Sequence, residues 1–107
     1  MTVPFVAGLR ARPEHVRLGR ADAHNLTLRV EIPELWDVVR IDVPPEESAL
    51  AVKVAALQVL DPRADHREFV LKLRGFEVHD EHESLARIGA VNGSIFLLTH
   101  RRRRPVR

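Results

Sequence analysis

The sequence predicts an α+β domain, a mixed sheet in the order β-β-α-β-β-β with one helix packed across one face. Three observations carry that expectation. Residues 26–43 hold two runs of apolar–polar alternation around a short turn. Residues 46–60 carry an apolar stripe at helical spacing. Residues 68–100 return to alternation, with two further runs separated by an irregular stretch.

In LTLRVEI, Leu26, Leu28, Val30 and Ile32 share one side, and Thr27, Arg29 and Glu31 the other. A period of two marks a half-buried strand. PELWD reads as a turn, and VVRIDV then sets Val39, Ile41 and Val43 on one face. Two strands so joined form an antiparallel hairpin. Pro44 and Pro45 stop the second strand, because neither donates to a ladder. Leu50, Val54, Leu57 and Leu60 follow at i, i+4, i+7 and i+10, one stripe of a helix. Ser48 is its expected N-cap, with Glu46 and Glu47 near the positive end of the dipole. Asp61-Pro62 ends it, since the residue before proline disfavours the helical region.

EFVLKLRG is the third strand, with Phe69, Leu71 and Leu73 opposed to Val70 and Lys72, and Gly75 breaks it. FEVHDEHESLARIGAV lacks a clean period; it predicts a short strand at Glu77–Val78 and a helical turn over Ser84–Arg87. Asn92-Gly93 signals a turn. SIFLLTH is the last strand, with Ile95, Leu97 and Thr99 on one face and Phe96, Leu98 and His100 on the other. Before all this, VPFVAGL is readable as a short strand and RARPEHVRLGRADAHN as a loop. The chain thus divides into an N-terminal extension (1–25), a domain (26–100) and an Arg-rich tail (101–107).

Composition narrows the function. At 107 residues, 45% hydrophobic and 30% charged, the chain is a single soluble domain. It has no apolar run near the roughly 18 residues of a membrane span and no secretion-signal pattern. The absence of cysteine removes disulfides, thiolate metal sites and thiol nucleophiles, and the expected compartment is the cytoplasm. The net charge is +2, yet five arginines lie within 101–107, which leaves the rest of the chain at −3. Arg-rich, Lys-poor usage suggests a GC-rich bacterial genome; Lys53 and Lys72 are the only lysines. No serine stands with a placed histidine and acid, and there is no Gly-rich phosphate loop. A non-enzyme without cofactor or metal is expected.

The order of elements, with these residues, resembles ubiquitin and its β-grasp fold. The likeness runs from Leu26 to about His100. It rests on the hairpin, then on VPPEESALAVKVAAL, where ubiquitin has Glu-Pro-Ser-Asp-Thr leading into its helix. FVLKLRG stands in place of a hydrophobic strand ending in Ala-Gly, and HESLARIGAVNGSIFLL in place of the Thr-Leu-Ser-Asp-Tyr turn and final strand. The resemblance implies a protein that works by being bound, since the fold serves modifiers, adaptors, sulfur carriers and subunits of larger machines. One family feature is absent: Thr99 to Arg107 occupy the place of the reactive arm and contain no glycine.

Several residues are then candidates for binding. With the helix over Leu28, Val30, Ile41, Val43, Leu71, Ile95 and Leu97, the opposite face carries Val70, Lys72, Phe96, Leu98 and His100. Phe96 and Leu98 break the rule that an open antiparallel face is polar. In ubiquitin the matching surface is the main recognition patch; here it is either a partner site or a surface that VPFVAGL covers. Leu35-Trp36 sits at the hairpin turn, either as an interface residue of the kind that dominates binding or tucked under the N-terminal segment. HDEHE (79–83) pairs two imidazoles with carboxylates; a metal pair is one reading and a solvated loop the expected one. The run Arg101, Arg102, Arg103 and Arg104 is expected to be a solvated or partner-ordered tail rather than a nucleic-acid site, because stacking aromatics are scarce. Partners are therefore expected to be proteins: activating or processing enzymes of a bacterial ubiquitin-like pathway, or copies of the chain itself. A modifier, a non-conjugated adaptor or self-assembling subunit, and a nucleic-acid-binding β-grasp domain are the readings left open.

Overall fold

The computed structural model describes residues 15–20 and 24–101. Its elements are β1 (His15–Arg17), β2 (Leu26–Ile32), β3 (Asp37–Val43), α1 (Ala49–Leu60), β4 (Phe69–Leu73), β5 (Phe76–Glu77) and β6 (Ile95–His100). They form one mixed sheet in the order β1-β3-β2-β6-β4-β5. β1 runs parallel to β3 and β2 parallel to β6, and the other pairs are antiparallel.

The β2–β3 hairpin forms as its alternation requires, with Leu26 opposite Val43 and Ile32 opposite Asp37. Its turn is a 3-10 helix at Pro33–Leu35, entered through the preset φ of Pro33. It leaves through Trp36, a left-handed residue at φ 56°, ψ 39°. Helix α1 begins where expected: Ser48 Oγ accepts from the Ala51 N–H at 3.1 Å. It ends at Leu60, with the Asp61 N–H donating to Leu57 O at 2.8 Å.

The face it buries keeps only half of the aliphatic stripe, Leu57 and Leu60. Ala49, Val52, Lys53, Ala55, Ala56, Leu57 and Leu60 are buried, while Leu50 and Val54 are only half-buried. Small alanines let the helix lie close to the sheet. Lys53 is admitted because both Glu81 carboxylate oxygens accept from its Nζ, at 3.0 and 2.9 Å.

β4 and β5 join through Arg74 and Gly75 at φ 53° and 84°. Positive φ at both central residues is the type I′ pattern, whose twist matches that of the strands. The short strand here is Phe76–Glu77, one residue earlier than expected. Over Ser84–Arg87 the expected turn forms, with the Ile88 N–H donating to Ser84 O at 3.2 Å. Asn92-Gly93 turns the chain onto β2: the Thr27 N–H donates to Asn92 Oδ1 and the Gly93 N–H to Thr27 O, each at 2.8 Å.

Two expectations are overturned. Phe96 and Leu98 are not on the open face; both are 0% exposed, in the core beneath α1. Directly opposed residues in a ladder share a face, and here Leu98 is opposite Leu71, and Phe96 is opposite both Leu73 and Val30. All three are core residues, so Phe96 and Leu98 follow them and Ile95 and Leu97 turn outward. Both halves of SIFLLTH are apolar, so alternation alone does not choose the face, and the opposite choice inverts every side chain. Second, the stretch expected as loop contains β1, whose Val16, with the following Leu18, packs against the core. The VPFVAGL segment, and with it the question of what it covers, lies outside the described residues.

Candidate functional site

The corrected faces redraw the candidate surface. Val70 and Lys72 lie on the open side, joined there by Ile95 and Leu97 from β6. Leu97 is opposite Lys72 on one side and Glu31 on the other, and Ile95 is opposite Arg29. The result is a short apolar row between charged neighbours. Ile95 is 44% exposed, Leu97 is half-buried, and Val70 is nearly sealed at 8% although it stands outside the core cluster.

His100 is the third residue assigned to the wrong side. It shares the face of Phe96 and Leu98 but stands at the strand end. Its ring packs on Phe69, centroids 4.4 Å apart. Its Nδ1 lies 3.1 Å from Glu34 Oε1; a carboxylate only accepts, so Nδ1 carries the proton. This contact ties the β2–β3 turn to the exit of β6.

The turn itself is open. Leu35 is 49% exposed and Trp36 94%, and Val38, the next residue on the open face, is 43% exposed. A left-handed conformation on a bulky residue is uncommon, and here it holds the indole away from the domain.

The arginine run divides at its first member. The Arg101 N–H donates to Glu68 O at 2.7 Å, its Nε to Arg67 O at 3.1 Å and its Nη2 to Phe69 O at 3.3 Å. Arg101 is therefore fixed to residues 67–69, at the entry to β4. Arg102, Arg103 and Arg104 lie outside the described residues.

HDEHE is a closed local turn. The His82 N–H donates to Asp80 Oδ1 at 3.0 Å, and Glu81 is committed to Lys53. Among the described residues no group of three or more His, Cys, Asp or Glu is placed to hold a metal, and no helix is long and apolar enough to cross a membrane.

One polar cluster escaped the sequence reading. Asp42, on the open face, accepts from Thr27 Oγ1 at 2.7 Å and pairs with His15 Nε2 at 2.9 Å. The Thr27 hydroxyl first, then His15, hold its carboxyl below the usual range. The hairpin register places Thr27 opposite Asp42, so half of the cluster was findable from alternation; His15 was not. At Asp65, two bonds from the Arg67 guanidinium and one from its N–H pull the carboxyl down to about 2.

No family model matches the sequence, and no curated protein matches it. Solved structures do match. The C-terminal ubiquitin-like domain of mouse tubulin-specific chaperone e superposes with a TM-score of 0.65 at 16% identity, over 82% of this chain and 98% of that one. A ubiquitin-like domain from Arabidopsis thaliana gives 0.64 at 15% identity, over 83% and 90%. The ubiquitin of Caldiarchaeum subterraneum gives 0.63 at 16%, over 73% and 95%. At such identities the likeness is one of architecture: one helix on a six-stranded mixed sheet, built as a ubiquitin-like β-grasp fold.

Proposed function

We infer that this ubiquitin-like domain acts by being bound, with protein partners read by the open sheet face and the β2–β3 turn. The observation that carries the reading is the exposed apolar set: Val38 and Ile95, with Leu97 beside them, on the side the helix leaves uncovered, and Leu35 and Trp36 at the adjoining turn. Exposed aromatic and aliphatic residues rimmed by charge suit a protein interface, where Trp and Arg dominate the binding energy. Arg29, Arg40 and Lys72 supply cations on the same face, with Glu31 and Asp42 among them. This mixed sign favours a protein over a phosphate backbone.

Two roles fit such a surface. As a modifier, the chain would be handled by activating and processing enzymes of a bacterial ubiquitin-like pathway. As a non-conjugated adaptor or self-associating subunit, it would only dock. The glycine-free arm after His100 and the three bonds, one from the backbone and two from the guanidinium, that fix Arg101 to the carbonyls of residues 67–69 favour docking. Cross-linking in the native host, comparing wild type with Leu97→Asp and Trp36→Ala, tests the surface: partners are expected to be lost in both, and an unchanged set would overturn it. Intact mass separates the roles. Full-length free protein supports docking, and a species trimmed between Thr99 and Arg104, or a ladder of adducts, supports the modifier.

A further inference from the structure

Two arginines meet on the open sheet face. Arg29 of β2 is directly opposite Arg40 of β3 in the hairpin register. Both are exposed. Like charges set directly opposite each other destabilise a sheet, so the hairpin is weakened rather than held by this pair. Among the described residues neither guanidinium makes a hydrogen bond or ion pair. The acids of the same face do not relieve it. Asp42, two residues along β3 from Arg40, accepts from the Thr27 hydroxyl at 2.7 Å and pairs with His15 Nε2 at 2.9 Å. Glu31, two residues along β2 from Arg29, stands between Val38 and Leu97. Apolar surface adjoins the pair: Ile95, opposite Arg29, is 44% exposed, and Val38, two residues along β3 from Arg40, is 43% exposed.

We infer, on the reading that the open face binds protein, that the Arg29–Arg40 pair is the seat for an acidic side chain of the partner, a Glu or Asp with an apolar neighbour. Directly opposed strand residues have Cβ atoms about 4.5–5.5 Å apart, so both guanidinium forks reach one carboxylate. Charge-assisted bonds to it are about twice as strong as neutral ones. Ile95 and Val38 give the apolar neighbour its contact. One carboxylate between two cations also removes the repulsion that the hairpin carries alone. A run of phosphates fits less well, because Glu31 and Asp42 flank the pair along the strands and repel a continuous anionic backbone.

The probe is the peptide acetyl-Ala-Leu-Glu-Leu-Ala-amide, titrated at low salt into the 15N-labelled full chain, with the same peptide carrying Gln in place of Glu as the neutral control. Shifts are expected at the Arg29 and Arg40 side-chain Nε–H signals and at the Ile95 amide. The Glu peptide is expected to bind at least about threefold more tightly than the Gln peptide, a preference that added salt removes. Arg29→Gln with Arg40→Gln should erase the preference. Arg29→Glu sets opposite charges across the ladder, so it should raise the unfolding midpoint by a few degrees while weakening Glu-peptide binding. A lowered midpoint gives Arg29 a structural role and overturns the inference. Equal binding of the two peptides, with shifts still at Ile95 and Leu97, overturns the acid assignment and leaves the protein-binding face standing; no shift anywhere on the face counts against both. Stronger shifts at the pair with a single-stranded oligonucleotide, or concentration-dependent shifts without peptide, reassign it to phosphate or to a second copy and overturn the inference.

Discussion

Phe96 and Leu97 are chain neighbours of similar hydrophobicity, yet one is sealed under the helix and the other looks out from the opposite face. Residues 95–98 of β6 repeat the contrast: Phe96 and Leu98 at 0% exposure, Ile95 at 44%. Hydrophobicity says that such a strand needs cover on both sides. It does not say which side the fold covers itself. That choice is made by the neighbours in register, Leu71, Leu73 and Val30. What remains apolar on the other face is surface available to another molecule.

The largest expected effect tests that contrast directly. Phe96→Ala empties a fully buried site and is expected to cost about 3–5 kcal/mol. Leu97→Ala on the open face should cost under about 1 kcal/mol. Urea denaturation of both variants measures the difference, and equal losses would erase the distinction between the two faces.

The two lysines repeat the contrast with charge. Lys53 is 1% exposed on the buried face of the helix and Lys72 is half-buried on the open side. Glu81→Gln leaves the Lys53 ammonium buried without its counter-charge, at a cost of about 3 kcal/mol. Replacing the pair together, Lys53→Met with Glu81→Gln, should recover most of that loss. If the double variant is as unstable as the single one, the ion pair matters for more than cancelling its own desolvation.

What was readable in the sequence follows the same division. The β2–β3 hairpin, the Ser48 cap and the stop at Asp61-Pro62 were legible because each is a local rule carried by adjacent residues. The buried face of α1 was half read: Leu57 and Leu60 are buried as the stripe requires, but Ala49, Val52 and Ala56 are buried where Leu50 and Val54 were expected, and Lys53 is neutralised by a residue 28 positions away. β1 was missed because three residues, two of them basic, carry no periodicity, and their pairing with β3 exists only in the fold. Of the candidate site, the turn position of Leu35 and Trp36 and the open side of Val70 and Lys72 were read correctly, whereas Phe96, Leu98 and His100 were assigned to the wrong side because their face depends on register.

Trp36 sharpens the comparison at smaller scale. Its φ of 56° is a conformation that glycine and asparagine adopt more readily. Trp36→Asn is therefore expected to stabilise the domain by about 1 kcal/mol while weakening partner capture. Opposite signs in thermal unfolding and in binding would mark the residue as kept for contact at some cost to the fold. Loss of stability would instead mean that the indole packs where exposure says it does not.

The smallest expected effect lies in the polar ties of the open face. Asp42 titrates below its ordinary 3.8 because the Thr27 hydroxyl, and next His15, bond to the charged form. A carboxyl whose folded value is depressed takes its proton in the unfolded state first as pH falls. Its stabilisation is thus whole above 3.8 and disappears as pH drops through the lower folded value. Thr27→Val removes the leading cause and spares His15. Carboxyl 13C titration should then show Asp42 rising toward 3.8, and the gap in stability between wild type and variant should close in acid. An unchanged titration would shift the origin of the depression to His15, and with it to the strand that closes the β3 edge.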